Sequence, residues 1–196
     1  MLAHQERLIW IDVETTGVDA FDKDELLEVA CLITDSELNI LDEVGYHAVI
    51  KYSDLKVSSM KLLTNDFVRD MHKKTGLWDK LTSGKPVRTV DSELLDYIKS
   101  FVPDARKARI AGNSITLDRN FLQANLPQSF NHLSYRSYDV STIAGLTAMW
   151  YEDEGYTKKK THAAMDDIRE SIEELRYLRE RFFVKKNWVT RLFGSR

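Results

Sequence analysis

Three extended segments follow one another near the start of the chain, and they constrain its fold more than any other feature. Apolar and β-branched residues dominate 7–13, 26–34 and 40–50, and a polar turn at 35–39 separates the last two segments. Strands that are joined in sequence by short connections pair in antiparallel fashion. The pattern therefore predicts a three-strand antiparallel meander.

Helices and further strands alternate along the rest of the chain. Thr89 is a candidate N-cap for a helix that ends before Pro103, and Thr75 and Gly76 interrupt an earlier region of short helical pieces. The expected elements of this part are short helices within 54–81, helices at 89–102, 117–124, 142–150 and 162–183, and strands at 108–111 and 137–140. A meander followed by alternating helices and strands indicates an α/β fold in which helices flank a mixed sheet.

The size and charge of the chain limit the number of domains and the kinds of partner that we expect. At 196 residues, with 43% hydrophobic and 30% charged side chains, it is long enough for one hydrophobic core, which we expect in a single domain over 1–184. The segment 185–196 mixes basic and apolar residues, and its role is open. The formal net charge of -3 excludes a broadly basic surface that binds long nucleic acid. Any nucleic-acid partner is therefore bound through local contacts or through metal.

The compartment is inferred from cysteine content and hydropathy. Cys31 is the only cysteine and lies in an apolar segment, so we expect a buried core residue that forms no intrachain disulfide. The N-terminus lacks an apolar signal region, and no apolar run approaches the roughly 20 residues that span a bilayer. These features predict a cytoplasmic protein without membrane contact.

Two acids mark the end of the first predicted strand. Asp12 and Glu14 are separated by one residue, and side chains at positions i and i+2 of a strand point to the same face. The two carboxylates therefore converge where the chain leaves the sheet. Oxygen ligands of this kind suit Mg²⁺ or Mn²⁺. An isolated pair of this type is more often a solvated strand end, so the assignment depends on other acids.

Two later segments supply acids that can reach the same place. Asp118 is expected at the start of a helix that follows a strand, although the helix dipole alone also favours an acid there. In the last helix, an apolar stripe turns Asp166 toward solvent and Asp167 toward the edge of the core. Carboxylates that converge in this way can hold two divalent ions. The predicted metal ligands are Asp12, Glu14, Asp118 and Asp167.

His162 is the candidate general base. It lies about one turn before Asp167, and histidine titrates near neutral pH. A lone histidine at this point is more often a cap or a surface residue. Beside a metal site it is a natural acceptor for the proton of the attacking water.

The spacing of these residues resembles that of the DEDDh 3′-to-5′ exonucleases, which have Asp-x-Glu, a distant Asp and a final His-x4-Asp. Five segments are similar to the oligoribonuclease branch of that family: 9–14, 30–41, 112–114, 135–142 and 162–171. The resemblance implies a ribonuclease H-like sheet and a homodimer. It also implies hydrolysis of very short oligoribonucleotides, dinucleotides in particular, to 5′-mononucleotides as the final step of RNA degradation.

The same resemblance assigns substrate contacts. Val18 would wedge between the two bases of a dinucleotide, and Phe67 would stack on one of them, since stacking tolerates any base. Tyr135 would reach the active site from the other subunit. The residues at positions that hold the 5′ phosphate are Ser114, Arg136 and Ser141, with His72 as a further candidate.

Each of these contacts also has an ordinary structural explanation. Considered without the family, Phe67 would be assigned to the core, His72 to the surface and Tyr135 to a half-buried strand position.

Two features depart from the usual pattern of the branch. Residues 13–17 read Val-Glu-Thr-Thr-Gly where Leu-Glu-Met-Thr-Gly is usual, and Phe67 replaces the usual Trp. Glu-Thr-Thr-Gly also occurs in proofreading exonucleases, so one alternative is a DEDDh exonuclease that acts on longer DNA or RNA. The other is a catalytically silent nucleic-acid-binding module, which the retention of four acids and His162 disfavours.

Overall fold

The computed structural model describes residues 6–152, 154–157 and 163–183, which form a five-stranded sheet with helices on both faces. The strands are β1 (Leu8–Thr15), β2 (Leu26–Thr34), β3 (Tyr46–Val49), β4 (Ala108–Gly112) and β5 (Leu133–Asp139). Their order across the sheet is β3-β2-β1-β4-β5. β2 is antiparallel to β1 and β3, whereas β4 is parallel to β1 and β5. The predicted mixed sheet and its meander are confirmed.

The third strand is shorter than predicted. The sequence pattern suggested a strand over 40–50, but β3 occupies only its last part. The carboxylate of Asp42 accepts hydrogen bonds from the backbone N–H groups of Val44 and Gly45 at 3.1 and 3.2 Å. These bonds form a turn at the point where a continuous strand would pair with its neighbour. Ile40 forms only an isolated antiparallel bridge with Thr34, and the continuous strand begins after Gly45.

Eight α-helices lie within the described part of the chain. They are α1 (Asp54–Leu63), α2 (Asp66–Lys74), α3 (Leu77–Lys80), α4 (Val87–Phe101), α5 (Thr116–Asn125), α6 (Pro127–His132), α7 (Val140–Tyr151) and α8 (Ala164–Phe182). None of these helices is both long and apolar enough to cross a membrane. The segment 185–196 and His162 lie outside the described residues.

The structure overturns the predicted start of α4 and confirms the predicted break before α3. Thr89 does not cap α4, because Pro86 occupies the N-cap and the helix begins at Val87. A proline in the extended region leads directly into a helix and removes a backbone donor that would lack a partner there. The break near Thr75 and Gly76 is confirmed. Gly76 has a φ of 70°, which glycine adopts without steric cost.

The short helix α6 was not predicted, and it depends on a distant side chain. Asp91 of α4 accepts hydrogen bonds from the backbone N–H groups of Gln128 and Ser129 at 3.0 and 2.9 Å. Its carboxylate also accepts one from Ser129 Oγ at 2.9 Å. Asp91 thus satisfies first-turn donors of α6 that have no partner within the helix. No local sequence signal marks this contact.

Alternation along β1 produces two hydrophobic cores on opposite faces of the sheet. Ile9 and Ile11 lie in the core beneath α4 and α5, whereas Trp10 lies in the core beneath α8. Side chains two residues apart share a face, so Asp12 and Glu14 continue the side of Trp10. The fold thereby directs both acids toward α8.

Candidate active site

Three carboxylates meet where β1 ends. Asp12 and Glu14 come from β1 and Asp167 from the first turn of α8, and one oxygen from each lies within 4.8 Å of the others. Glu14 is buried, and Asp12 and Asp167 are half-buried. The group presents only oxygen donors, which are the ligands that Mg²⁺ and Mn²⁺ prefer. We refer to these three residues as the acid cluster.

The packing of α8 selects Asp167 over its neighbour. Ala164 and Ile168 are buried against the sheet, and this fixes the rotation of the helix. Asp166 consequently points to solvent and is exposed, whereas Asp167 joins the acid cluster. The orientation predicted from the apolar stripe is the one observed.

Asp118 lies next to the acid cluster but is held by the backbone. It sits in the first turn of α5, and its Oδ1 accepts a hydrogen bond from the N–H of Val13 at 2.9 Å. The residue is 5% exposed. Since Val13 lies between Asp12 and Glu14 in the sequence, this bond places Asp118 beside both. The four predicted metal ligands are therefore brought to one strand end.

Burial and crowding of these acids disfavour their ionised forms. Desolvation raises the pKa of Asp12 well above its ordinary value, and the charge of Asp118 raises it further. Burial, followed by the charge of Glu28, raises the pKa of Glu14 to about 8. Burial raises the pKa of Asp118 to about 7, against the effect of the bond from Val13. Divalent cations would relieve this repulsion, so the residues fit a metal site.

Glu28 is a further buried acid at the site that the sequence analysis missed. It pairs with Glu14 across β1 and β2 and is 7% exposed. Its Oε1 lies 2.9 Å from Nε2 of His47 on the neighbouring strand β3. The sequence did contain a signal for this residue. Glu28 is the single charged residue of an otherwise apolar strand, and antiparallel pairing places it opposite the predicted ligand Glu14.

His72 occupies a different place from the one expected. Its side chain is fully buried, and Nε2 forms a 2.8 Å hydrogen bond with the backbone oxygen of Thr15. Nδ1 lies 3.9 Å from Oε2 of Glu14. A ring with no exposed surface excludes the surface position considered for His72, and its contact with the 5′ phosphate stays a prediction. The residue packs behind Glu14, and its bond with Thr15 holds the end of β1.

Two other candidates for the 5′ phosphate, Ser114 and Ser141, lie together beyond the end of β4. The backbone N–H of Ser114 donates to Asp139 Oδ1 at 3.1 Å and to Ser141 Oγ at 3.2 Å. Ser141 Oγ in turn donates to Asp139 Oδ1 at 2.5 Å. Arg136 and Tyr135 lie on β5, where Arg136 Nε donates to the Tyr135 hydroxyl at 3.1 Å. The structure thus joins Ser114 with Ser141, and Arg136 with Tyr135.

Val18 and Phe67 are both exposed. Their side chains are 77% and 74% exposed, which excludes the core position considered for Phe67. Val18 lines a cavity of about 520 Å³ that extends to the end of α1 and the start of α2. Asn65, the N-cap of α2, and Val68, which follows Phe67, line the same cavity. Tyr135 is also 77% exposed, so its half-buried alternative is excluded as well.

The raised pKa of Glu14 leads to a stability prediction for the metal-free protein. A glutamate in an unfolded chain titrates near 4.5, whereas the pKa of Glu14 in the folded protein is about 8. Between these values the folded protein keeps a proton that the unfolded chain releases, so a rise in pH favours unfolding. We expect the melting temperature in chelator to fall from about pH 5 to pH 8.

Thermal unfolding at several pH values measures this effect, with Glu14→Gln as the matched variant. The slope should be smaller in the variant, and added Mg²⁺ should raise the melting temperature more at pH 8 than at pH 5. A melting temperature that is constant or rises over this range would contradict the prediction.

Comparisons with known sequences identify relatives along most of the chain. The RNase T family, described as an exonuclease family, matches residues 9–175. An oligoribonuclease of Cutibacterium acnes is 43% identical over 176 residues, which cover 88% of this chain and 84% of that protein. A mitochondrial oligoribonuclease of Mus musculus is 40% identical over 185 residues, which cover 92% of this chain and 75% of that protein.

Comparison with solved structures supports the same fold. E. coli Exonuclease I, solved in complex with a 5cy-dT13 oligonucleotide, matches with a TM-score of 0.65 at 16% identity. The match covers 91% of this chain and 41% of that protein, so the chain spans about two fifths of its length. This similarity concerns the fold alone and confirms the ribonuclease H-like α/β architecture. On its sequence identities, the exonuclease match and its fold, the chain belongs to the oligoribonuclease family of 3′-to-5′ exonucleases.

Proposed function

We propose that this protein hydrolyses very short oligoribonucleotides, dinucleotides in particular, from the 3′ end to 5′-mononucleotides, as the last step of RNA degradation. The observation that carries this proposal is the acid cluster, with Asp118 beside it, in a chain of the oligoribonuclease family. Four carboxylates at one strand end, three of which have a raised pKa, form a site for cations and not a neutral binding surface.

Each acid has a part in the proposed mechanism. Asp12, Glu14 and Asp167 would hold two Mg²⁺ or Mn²⁺ ions together with Asp118, whose position the N–H of Val13 fixes. When bound, such ions stabilise the charge that develops on the attacking and leaving oxygens. His162 would accept the proton of the attacking water. Glu28 lies opposite Glu14 in the sheet, and Nδ1 of His72 lies 3.9 Å from the Glu14 carboxylate.

The proposed substrate contacts involve two groups of residues. Val18 would separate the two bases and Phe67 would stack on one of them, as their exposure allows. Ser114, Ser141 and Arg136 would bind the 5′ phosphate through hydroxyl and guanidinium donors. A phosphate bound at one end and a scissile bond fixed at the other would favour two-nucleotide substrates.

A homodimer and a cytoplasmic location complete the proposal. Tyr135 lies on β5, one of the two edge strands of the sheet, and its ring is exposed, so it could contact a second subunit. Cys31 is fully buried with a free thiol, which fits a reducing compartment.

A ladder of 5′-phosphorylated RNAs tests the function. RNAs of two to about ten nucleotides are incubated with Mg²⁺ or Mn²⁺, and products are followed over time. We expect the dinucleotide to be hydrolysed with the highest kcat/KM. Equal or faster hydrolysis of the longest RNAs, or of matched DNA, would instead favour an exonuclease for longer chains, the alternative that Glu-Thr-Thr-Gly at 14–17 supports.

The dimer proposal predicts complementation between two inactive variants. If Tyr135 completes the neighbouring active site, a heterodimer of one Tyr135→Ala subunit and one Asp12→Ala subunit has both substitutions in the same composite site. One of the two sites in a heterodimer then carries both lesions and the other carries neither. Purified heterodimers with two different tags should recover activity that both homodimers lack. Heterodimers without activity would contradict a contribution of Tyr135 in trans.

A further inference from the structure

A buried polar network connects the end of β4 with α8. Asn113, which directly follows β4, donates from Nδ2 to Ser171 Oγ at 2.8 Å and to Glu174 Oε2 at 2.9 Å. Ser171 and Glu174 are 6% and 7% exposed. Buried polar groups that are hydrogen-bonded to one another favour one arrangement of the elements that carry them. Asn113 therefore fixes α8 relative to β4.

The network ends on the residue that joins the acid cluster. Ser171 Oγ donates to the backbone oxygen of Asp167 at 2.8 Å, one turn earlier in α8. The same hydroxyl accepts from Asn113, so a chain of two hydrogen bonds runs from β4 to Asp167. Loss of either bond removes a restraint on the helix turn that presents the Asp167 carboxylate.

The residue after Asn113 connects the same loop to a second helix. Ser114 has a φ of 51°, and its N–H reaches Asp139, the N-cap of α7, and Ser141 in the first turn of that helix. A non-glycine residue in this region is strained and persists when surrounding contacts impose it. Two adjacent residues thus anchor α8 and α7 to the end of one strand.

We propose that Asn113 is a positioning residue that holds Asp167 at a fixed place relative to the 5′-phosphate contacts of Ser114 and Ser141. This inference rests on the proposed function, in which Asp167 lies at the site of hydrolysis and Ser114 and Ser141 bind the opposite end of the substrate. Asn113 then fixes the distance between the site of hydrolysis and the 5′-phosphate contacts, and this distance selects substrates of two nucleotides. It touches neither the reacting atoms nor the phosphate.

The test compares two diribonucleotides, one with a 5′ phosphate and one without, at saturating Mn²⁺. The readout is the 5′-phosphate advantage, the ratio of the two kcat/KM values. We expect Asn113→Ala to reduce this advantage by on the order of tenfold or more, because displacements of about 1 Å have large effects on rate. The matched control is Asn125→Ala, whose Nδ2 donates only within its own helix, to Phe121 O at 3.1 Å. The control should keep the wild-type ratio.

A double-mutant cycle separates positioning from a general loss of structure. Ser141→Ala should lower the 5′-phosphate advantage in the wild type and have a much smaller effect in Asn113→Ala. Ser171→Ala breaks the same link from the α8 side and should reproduce the altered ratio, which keeps the test available if Asn113→Ala does not fold.

The outcomes identify which idea fails. In one outcome, the wild type shows a 5′-phosphate advantage that Asn113→Ala and Ser171→Ala both retain. That result would overturn the role of Asn113 and leave the proposed function intact. An equal loss of rate on both substrates would also overturn it, because that result indicates only structural support. A wild-type protein that does not hydrolyse diribonucleotides would overturn the proposed function and, with it, this inference.

Discussion

Asp167→Asn is expected to lose activity by on the order of a hundredfold or more, whereas Asp166→Asn should stay close to the wild type. The two residues are adjacent and chemically identical, but only Asp167 contributes to the acid cluster, and Asp166 is exposed. A surface substitution of this kind usually changes stability by less than about 0.5 kcal/mol. Steady-state kinetics on a diribonucleotide, with calorimetric titration of Mn²⁺, measures both effects.

His162→Ala gives a useful comparison with this pair. As the proposed proton acceptor, it should lower turnover in a similar way but retain metal binding. Equal damage from the two Asp substitutions, or greater damage at Asp166, would contradict the assignment of Asp167 as a metal ligand.

Asp12→Ala and Glu14→Ala are expected to abolish hydrolysis, by a factor on the order of a thousand, without unfolding the protein. In chelator, either variant should melt at the same temperature as the wild type or higher. The reason is that each change removes a buried acid whose neighbours repel its charge, as the raised pKa values of both groups indicate. Added Mg²⁺ should stabilise the wild type more than the variants.

Parallel kinetic and thermal measurements separate the two roles of these acids. Asp166→Ala serves as the control for removal of an exposed acid. Undiminished turnover by either variant in chelated buffer would end the two-metal interpretation. A large fall in the melting temperature of the metal-free variants would show that the acids support the fold itself.

The sequence predicted where most acids of the candidate site lie because these acids belong to regular elements. Alternation along β1 gave the shared face of Asp12 and Glu14, and the apolar stripe of α8 distinguished Asp167 from Asp166. Both arguments depend only on the period of a strand or helix and on which face is apolar. The placement of Asp118 depended on α5 following β4, which the pattern of elements also gave.

The features that sequence reasoning missed depend on contacts between distant residues. The burial of His72 follows from its packing against Trp78 and from its bond with Thr15, which no local pattern reveals. α6 required Asp91 of another helix. The truncation of β3 was decided by side-chain bonds of Asp42 that compete with the sheet. In each case a tertiary or side-chain contact outweighed local propensity.

In the proposed mechanism, the arrangement of the acid cluster also determines when activity can arise during folding. Asp12 and Glu14 belong to the first strand, whereas Asp167 belongs to the last described helix, so most of the chain separates them. Contacts between residues so far apart in sequence form slowly, because a long loop must close before they contribute. A growing chain can pair β1 with β2 early and still lack a complete cluster. Nuclease activity should therefore appear only when α8 docks, so a nascent chain has no means to cleave RNA while it is still being translated.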